Sequence, residues 1–410
     1  MPRKATLSTP PSPTLVEDLV DDLVSADQLD ATESEDDLQS IDPSMLGQAV
    51  VFATDWTAAT LIDQLRRENI RLDPIFQRRD AWNPQRKSRF IESIVLGLPI
   101  PQIVLAEAKD DKGRFLVIDG KQRLLSLQQF AGIGVEPNQS ALVLTSLKFR
   151  PELNDKSYED LKSDARLRNH LNAFDNQPIR TVVVKNWQKE DVLYLIFHRL
   201  NSETLPLSPQ ELRQALHPGS FLRFAAEYTL TVGGLHRALG IDKPDFRMRD
   251  VELFVRFMAF QYALQKYSGN LKRFLDDECE ELNKQWPTQE TTILEKAAQM
   301  EEAIGAAYEV FDDDAFRKWD GVQYENRFNK AVFDIVVYYF ARERVRKRAL
   351  AKKAKVKAAY QSLSRNVAFV KSLETTTKSV NATATRFRLW GDQLAKTLVM
   401  QVDLPKIGKQ

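Results

Sequence analysis

A polar turn of five residues has the side chains needed to bind a phosphate group. The turn consists of Asp119, Gly120, Lys121, Gln122 and Arg123. Residues 115–118 before it are apolar β-formers that predict a buried strand, and residues 124–127 after it have the apolar spacing of a helix. A helix N-terminus offers unpaired backbone N–H groups and the positive end of a dipole, which favour an anion. The turn therefore predicts either a phosphate site or an ordinary strand-to-helix turn in which Asp119 caps the helix and Lys121 and Arg123 are solvated.

Two other segments carry residues that could complete such a site. Gln77 and Arg78 follow the extended stretch around Pro74, and Arg199 and Asn201 lie at the end of a helix predicted from residue 191. Arginine and amide side chains donate strong hydrogen bonds to phosphate oxygens, and the carboxylate of Asp119 could position Mg²⁺ or a water molecule. We therefore expect three segments to converge on one phosphate-binding site.

The turn resembles the Asp-Gly-Gln-Gln-Arg-Leu signature of the N-terminal domain of GmrSD-type, modification-dependent restriction endonucleases. Further matching motifs lie on both sides of it, at residues 73–79 with Trp82, 91–101, 197–202 and 207–213. Their common order makes the resemblance more specific than any single motif. This chain departs from the family at Lys121, where Gln is usual, and at residues 202–204, where glycines are frequent.

The resemblance implies a ParB/sulfiredoxin-like fold and the binding and hydrolysis of a nucleoside triphosphate, with Mg²⁺. On this basis we expect three catalytic residues, which are Asp119, Gln122 and Arg123. The expected cofactor-binding residues are Gln77, Arg78, Gly120, Lys121, Arg199 and Asn201. Because Lys121 replaces a neutral amide with a cation, we expect higher phosphate affinity, whereas hydrolysis stays an open question.

The chain is expected to contain an acidic tail and two domains. Residues 1–48 are rich in proline and acidic residues and poor in large apolar ones, which is typical of disorder. Residues 49–186 mix strand and helix patterns, which predicts an α+β domain. The expected strands are at residues 103–105, 115–119, 142–149 and 179–185, and we expect the first two to form a hairpin. Residues 187–410 have only helical patterns and predict an all-α domain, with separate helices at 270–282 and 290–310. Within it, residues 208–211 are close to a capping box that opens a helix through Leu216.

Charge is distributed unevenly along the chain. Residues 5–65 contain thirteen Asp or Glu and no Lys, Arg or His, although the formal net charge of the whole chain is +1. Residues 342–357 contain nine Lys or Arg against Glu343 alone. This basic stretch is either a solvated helix face or a surface for duplex phosphates, and DNA is the expected partner. The acidic tail either solubilises the chain or mimics nucleic acid on the basic surface.

Histidine and cysteine usage limits the catalytic chemistry. Multi-domain members of the resembled family carry a C-terminal HNH nuclease module, which needs histidine to hold its metal and activate water. None of the four histidines lies beyond His236, so we expect that module to be absent, with a separate nuclease or methylase chain as a possible partner.

The single cysteine, Cys279, excludes an internal disulfide and a cysteine-rich zinc site. No apolar run reaches the ~20 residues of a membrane helix, and we expect a cytoplasmic protein with no metal site of its own.

Three functions are therefore compatible with the sequence. The leading hypothesis is a nucleotide-binding, NTP-hydrolysing protein that interacts with DNA in a restriction or phage-defence system. The first alternative is a non-catalytic DNA-binding or adaptor protein, in which the Asp-Gly turn is structural. The second alternative is a nuclease that acts through the ParB-like domain itself.

Overall fold

The computed structural model describes residues 49–72, 79–134, 141–200, 208–374 and 377–408. The predicted acidic tail over residues 1–48 lies outside this range. The predicted fold class is confirmed, because a small α+β domain is followed by a helical half. None of the described helices is both long and apolar enough to span a membrane.

The α+β domain is built on a mixed four-stranded sheet. Its strands are β1 (Val50–Thr57), β2 (Ile103–Glu107), β3 (Phe115–Asp119) and β4 (Pro178–Lys185). They are arranged in the order β1-β4-β2-β3, in which only the β4–β2 pair is parallel. The antiparallel hairpin predicted for β2 and β3 is present, with Val104 opposite Asp119. Strand β2 is nearly continuous in its burial, as expected for a strand covered on both faces.

Helices cover both faces of this sheet. The helices of the first face are α1 (Ala58–Arg66), α2 (Pro84–Val95), α3 (Lys121–Phe130), α4 (Tyr158–Ser163) and α5 (Arg168–Asn176). They share one core with Leu105 and Val117, whereas Val104 and Ile118 point to the opposite face because side chains alternate along a strand. That second face is covered by helices α6 (Glu190–Leu200) and α7 (Pro209–Leu216), which contribute Val192 and Leu212.

The helical half is organised around one long helix. Its helices are α8 (Ser220–Tyr228), α9 (Gly233–Leu239), α10 (Arg249–Ala263), α11 (Leu271–Phe311), α12 (Lys330–Phe340), α13 (Glu343–Ala351), α14 (Lys353–Leu363), α15 (Val367–Glu374) and α16 (Val380–Leu398). Helix α11 runs through Pro287 for 41 residues, so the prediction of two separate helices was wrong. A proline inside a helix costs ~3 kcal/mol. Burial on both sides of it, at Leu282 and Ile293, compensates for this cost.

Two strand predictions were also wrong. Residues 142–149 form no strand, because their N–H groups bond to other elements instead; Leu142 N, for example, donates to Gln129 O at 2.9 Å. Conversely, a hairpin of β5 (Arg317–Trp319) and β6 (Tyr324–Phe328) interrupts the half that was expected to be all-α.

One buried arginine fastens the α+β domain to the helical half. Arg79 Nη1 donates to both carboxylate oxygens of Asp250 on α10, at 2.7 and 2.8 Å, and to Asp245 O at 2.9 Å. Arg79 Nη2 donates to Thr229 Oγ1 at 2.8 Å and to Ala226 O at 3.1 Å. Burial tends to raise the pKa of Asp250, but its contacts with His236 and Arg79 lower it overall. Arg79 and Asp250 therefore form an ion pair in a buried interface.

We predict that Arg79→Met lowers the free energy of unfolding by about 3–5 kcal/mol, because it leaves the buried carboxylate of Asp250 without its counter-charge. The control is Arg67→Met, which breaks an exposed pair with Asp63 and should cost no more than about 1 kcal/mol. Urea denaturation of the two variants measures both values. Equal, small losses would show that the Arg79 pair does not hold the halves together.

Candidate functional site

The predicted strand-to-helix turn is present at the edge of the sheet. Strand β3 ends at Asp119, helix α3 begins at Lys121, and Gly120 between them has a φ of 94°. Residues with a side chain rarely adopt this conformation. A Cβ atom at position 120 would also lie 3.0 Å from Ile103 Cγ1 and 3.3 Å from Arg123 Nε. Gly120 is therefore needed for the backbone conformation and for the close approach of Arg123.

The N-terminus of α3 has no side-chain cap. Gly120 occupies the capping position, and because it has no side chain it makes no side-chain capping bond to the first turn of the helix. The alternative in which Asp119 caps the helix is wrong, because Asp119 Oδ2 accepts a hydrogen bond from Arg123 Nη2 at 2.6 Å instead. The first N–H groups of a helix have no partner within it, so this helix end keeps its capacity to bind an anion.

Arg123 is buried beside this helix end with one donor unused. Its Nη2 donates to Asp119 Oδ2 and, at 2.9 Å, to Gln102 O. Its Nε is buried and has no hydrogen-bond partner among the residues that the structure describes, and the residue as a whole is only 7% exposed. Leaving a buried donor unsatisfied costs about 1–3 kcal/mol. The turn therefore holds a polar donor that an anion could satisfy.

Lys121 contacts a carboxylate from the helices on the second face. Its Nζ pairs with Glu211 Oε1, and both side chains are only 5% exposed. The other carboxylate oxygen, Glu211 Oε2, accepts a hydrogen bond from the backbone N–H of Ser208 at 2.7 Å. In return, Ser208 Oγ accepts a hydrogen bond from the backbone N–H of Glu211 at 3.1 Å. The capping box predicted for α7 is thus confirmed. Glu211 joins it directly to the turn.

Gln122 connects the turn to the segment that precedes α2. The backbone N–H of Trp82 donates a hydrogen bond to Gln122 Oε1 at 3.3 Å and another to Asp80 Oδ1 at 3.1 Å. Lys87 Nζ contacts Asp80 and donates to Gln129 Oε1, further along α3, at 2.7 Å. Residues 80–87 are therefore anchored on the same helix that the turn opens.

The structure brings together some of the predicted site residues and leaves others outside its description. Asp119, Gly120, Lys121, Gln122 and Arg123 lie together at the turn. Arg199 is exposed near the end of α6, a helix that packs against β3. Three predicted site residues lie outside the described residues, namely Gln77, Arg78 and Asn201. The catalytic and cofactor-binding roles of all these residues stay predictions.

The far end of α7 carries a second cluster of charged residues. Arg213 Nε donates to Asp276 Oδ1 on α11 at 2.6 Å, and Arg213 Nη1 donates to Gln210 Oε1 at 2.7 Å. His217 Nε2 lies 3.3 Å from Glu190 Oε2. Burial would lower the pKa of His217, but Glu190 and Asp276 raise it overall. Both ends of α7 are therefore held by buried charge pairs.

The basic stretch at residues 342–357 differs from the sequence expectation. It is divided between α13 and α14, and most of its cations bind groups of the protein itself. These contacts are Arg346 with Glu302, Lys353 with Glu309, Lys357 with Asp312, Arg348 with Val399 O and Lys352 with Leu398 O. Arg344 and Lys355 are exposed and have no partner within the described ranges. The surface available to a polyanion is therefore smaller than the sequence suggested.

The geometry supports anion binding at the turn more directly than a metal cluster. No group of three or more His, Cys, Asp or Glu side chains in the described part of the chain could hold a metal ion. The carboxylate of Asp119 is the acidic group of the turn itself, and it could contact a magnesium ion that a nucleotide brings with it. Sequence reasoning missed the pairing of Glu211 with Lys121. A buried cation in place of a neutral amide was the signal that an acidic partner must exist.

Comparison with known proteins identifies the family of this domain. Residues 59–218 match the family described as GmrSD restriction endonuclease, N-terminal domain. No curated protein and no solved structure matched the chain. The matched range includes helices α1 to α7, strands β2 to β4 and the whole turn. Residues 59–218 therefore belong to the family of GmrSD restriction endonuclease N-terminal domains.

Proposed function

We propose that this chain is a nucleotide-binding, DNA-interacting component of a restriction or phage-defence system. The GmrSD N-terminal family itself suggests a restriction or phage-defence role. The observation that carries the nucleotide part is the uncapped N-terminus of α3, beside which Arg123 Nε is buried without a partner among the described residues. A triphosphate is the ligand class that this arrangement suits, because its oxygens accept several hydrogen bonds at once.

Each residue of the turn has a role in this proposal. Gly120 has no side chain and lets a phosphate approach the first N–H groups of α3. Arg123 and Lys121 supply positive charge against the phosphates, and Asp119 positions the Mg²⁺ ion or the attacking water. Gln122 orients that water with its amide. Positioned donors of this kind stabilise the charge that develops during phosphoryl transfer.

The buried cations make binding conditional on a rearrangement. In this structure the carboxylates of Asp119 and Glu211 already neutralise Arg123 and Lys121. A nucleotide must therefore displace carboxylates rather than enter an empty pocket. The same pairs favour the second candidate function, in which the turn is structural and the chain is a non-catalytic DNA-binding or adaptor protein.

The proposed DNA contact is limited to the exposed cations of α13 and α14. Arg344 and Lys355 have no partner among the described residues, and the nearby Lys347 is paired only with the exposed Glu343. Cations of this kind bind the phosphates of a duplex without reading its sequence. A separate nuclease or methylase chain would then supply cleavage or modification.

We predict that Arg123→Ala weakens nucleotide binding by ten- to a hundred-fold, since loss of a charged hydrogen bond costs about 1.5–3 kcal/mol. Calorimetric titration of the full chain with ATP and GTP in the presence of Mg²⁺ measures the affinity. Arg114→Ala is the control, because Arg114 pairs with Asp111 in the exposed loop between β2 and β3. A folded Arg123→Ala protein with unchanged affinity would exclude the turn as the phosphate site and favour the adaptor alternative.

We also predict that Arg344→Glu with Lys355→Glu weakens binding of duplex DNA and reduces the salt slope, by about one for each phosphate that the protein no longer neutralises. Fluorescence anisotropy across a series of salt concentrations measures both effects. Arg273→Glu with Lys284→Glu makes the same charge change on the exposed face of α11 and serves as the control. If both double variants bind alike, α13 and α14 do not form the DNA surface.

A further inference from the structure

We propose that Glu211 is an internal substitute for phosphate, and that a nucleotide replaces it on Lys121 and thereby signals its presence to the helical half. The inference rests on the proposed function, because it assigns the regulation of the same site. Its starting point is the single carboxylate that bonds to the turn through one oxygen and to the first turn of α7 through the other.

Lys121 requires an anion because it is buried. Both it and Glu211 are 5% exposed, so removing one partner would leave an uncompensated charge in a medium of low dielectric constant. A neutral residue at this position would have no such requirement. A negatively charged group is therefore the ligand best suited to replace Glu211 on Lys121.

A phosphate satisfies more donors at the turn than Glu211 does. The Glu211 carboxylate contacts Lys121 but does not cap α3, and Arg123 Nε has no partner in the described structure. A terminal phosphate has three oxygens and up to two negative charges, which could engage Lys121, the first N–H groups of α3 and Arg123 together. This difference in bonding is what makes the exchange favourable at sufficient nucleotide concentration.

The release of Glu211 changes the start of α7. Glu211 is the third residue of α7 and completes the capping box, so its Oε2 accepts a hydrogen bond from the N–H of Ser208 only while the carboxylate keeps its present position. Two residues later Arg213 is fully buried and bonds to Asp276 on α11. Lys272 of α11 also pairs with Asp276, at 3.0 Å. A displacement of the first turn of α7 is thereby passed to the longest helix of the helical half.

Amide hydrogen exchange of the full chain tests whether a nucleotide replaces Glu211 on Lys121. It is measured by mass spectrometry with and without Mg²⁺ and ATP or GTP. In the unaltered protein we expect nucleotide to reduce the protection of residues 209–216. Glu211→Gln should show reduced protection already without nucleotide and should bind it at least ten-fold more tightly, because the internal competitor is lost. Lys121→Gln should bind nucleotide more weakly and show no change in α7. Glu107→Gln, which breaks a half-exposed pair with Lys185, is the matched control.

A double substitution keeps the test informative if Glu211→Gln does not fold. Lys121→Gln combined with Glu211→Gln removes both buried charges together and leaves neither uncompensated, so it should remain folded, bind nucleotide weakly and show no nucleotide-dependent change in α7. If nucleotide binds to the unaltered protein without any change in α7, or if Glu211→Gln does not bind it more tightly, the exchange is refuted and the proposed function stands. If neither ATP nor GTP binds the unaltered protein, the proposed function and the exchange both fail.

Discussion

The buried ion pair between Lys121 and Glu211 is the interaction that couples the candidate site to the remainder of the chain. It joins the polar turn at the edge of the sheet to the first helix turn of the segment that leads into the helical half. A buried ion pair contributes little net stability, because desolvation offsets most of the Coulomb attraction. Breaking the pair by removing one partner is costly, because it leaves a buried charge without its partner. A second buried link, Arg79 with Asp250, joins the α+β domain to the helical half without contacting the turn.

Sequence patterns between neighbouring residues predicted the turn and the elements on either side of it. Gly120, the hairpin of β2 and β3, and the capping box of Ser208 and Glu211 depend on residues close in sequence, and all are present. The pairing of Lys121 with Glu211 joins residues 90 positions apart. Patterns within a short stretch of sequence cannot predict a contact between residues so far apart in the chain. The sequence therefore suggested a solvated or phosphate-bound lysine, whereas the folded chain supplies its own carboxylate.

Three features of the helical half also differ from the sequence expectation. Pro287 signals a helix end locally, yet packing on both sides carries α11 past it. The short β5–β6 hairpin depends on a turn in which Asp320 Oδ1 accepts the N–H groups of Val322 and Gln323, both at 2.7 Å. The basic stretch of α13 and α14 looked like one exposed surface because its carboxylate and carbonyl partners come from α11 and from the end of α16. Tertiary contacts therefore decided the first and the last case, and a local turn decided the hairpin.

The structure of this chain bound to a non-hydrolysable nucleoside triphosphate and Mg²⁺ tests the central claim most directly. We expect a phosphate at the N-terminus of α3, with Lys121 Nζ and Arg123 within hydrogen-bond distance of its oxygens and Glu211 moved away from Lys121. A nucleotide bound elsewhere, with Lys121 still paired to Glu211, would contradict this expectation. The turn would then be a structural link between the sheet and α7.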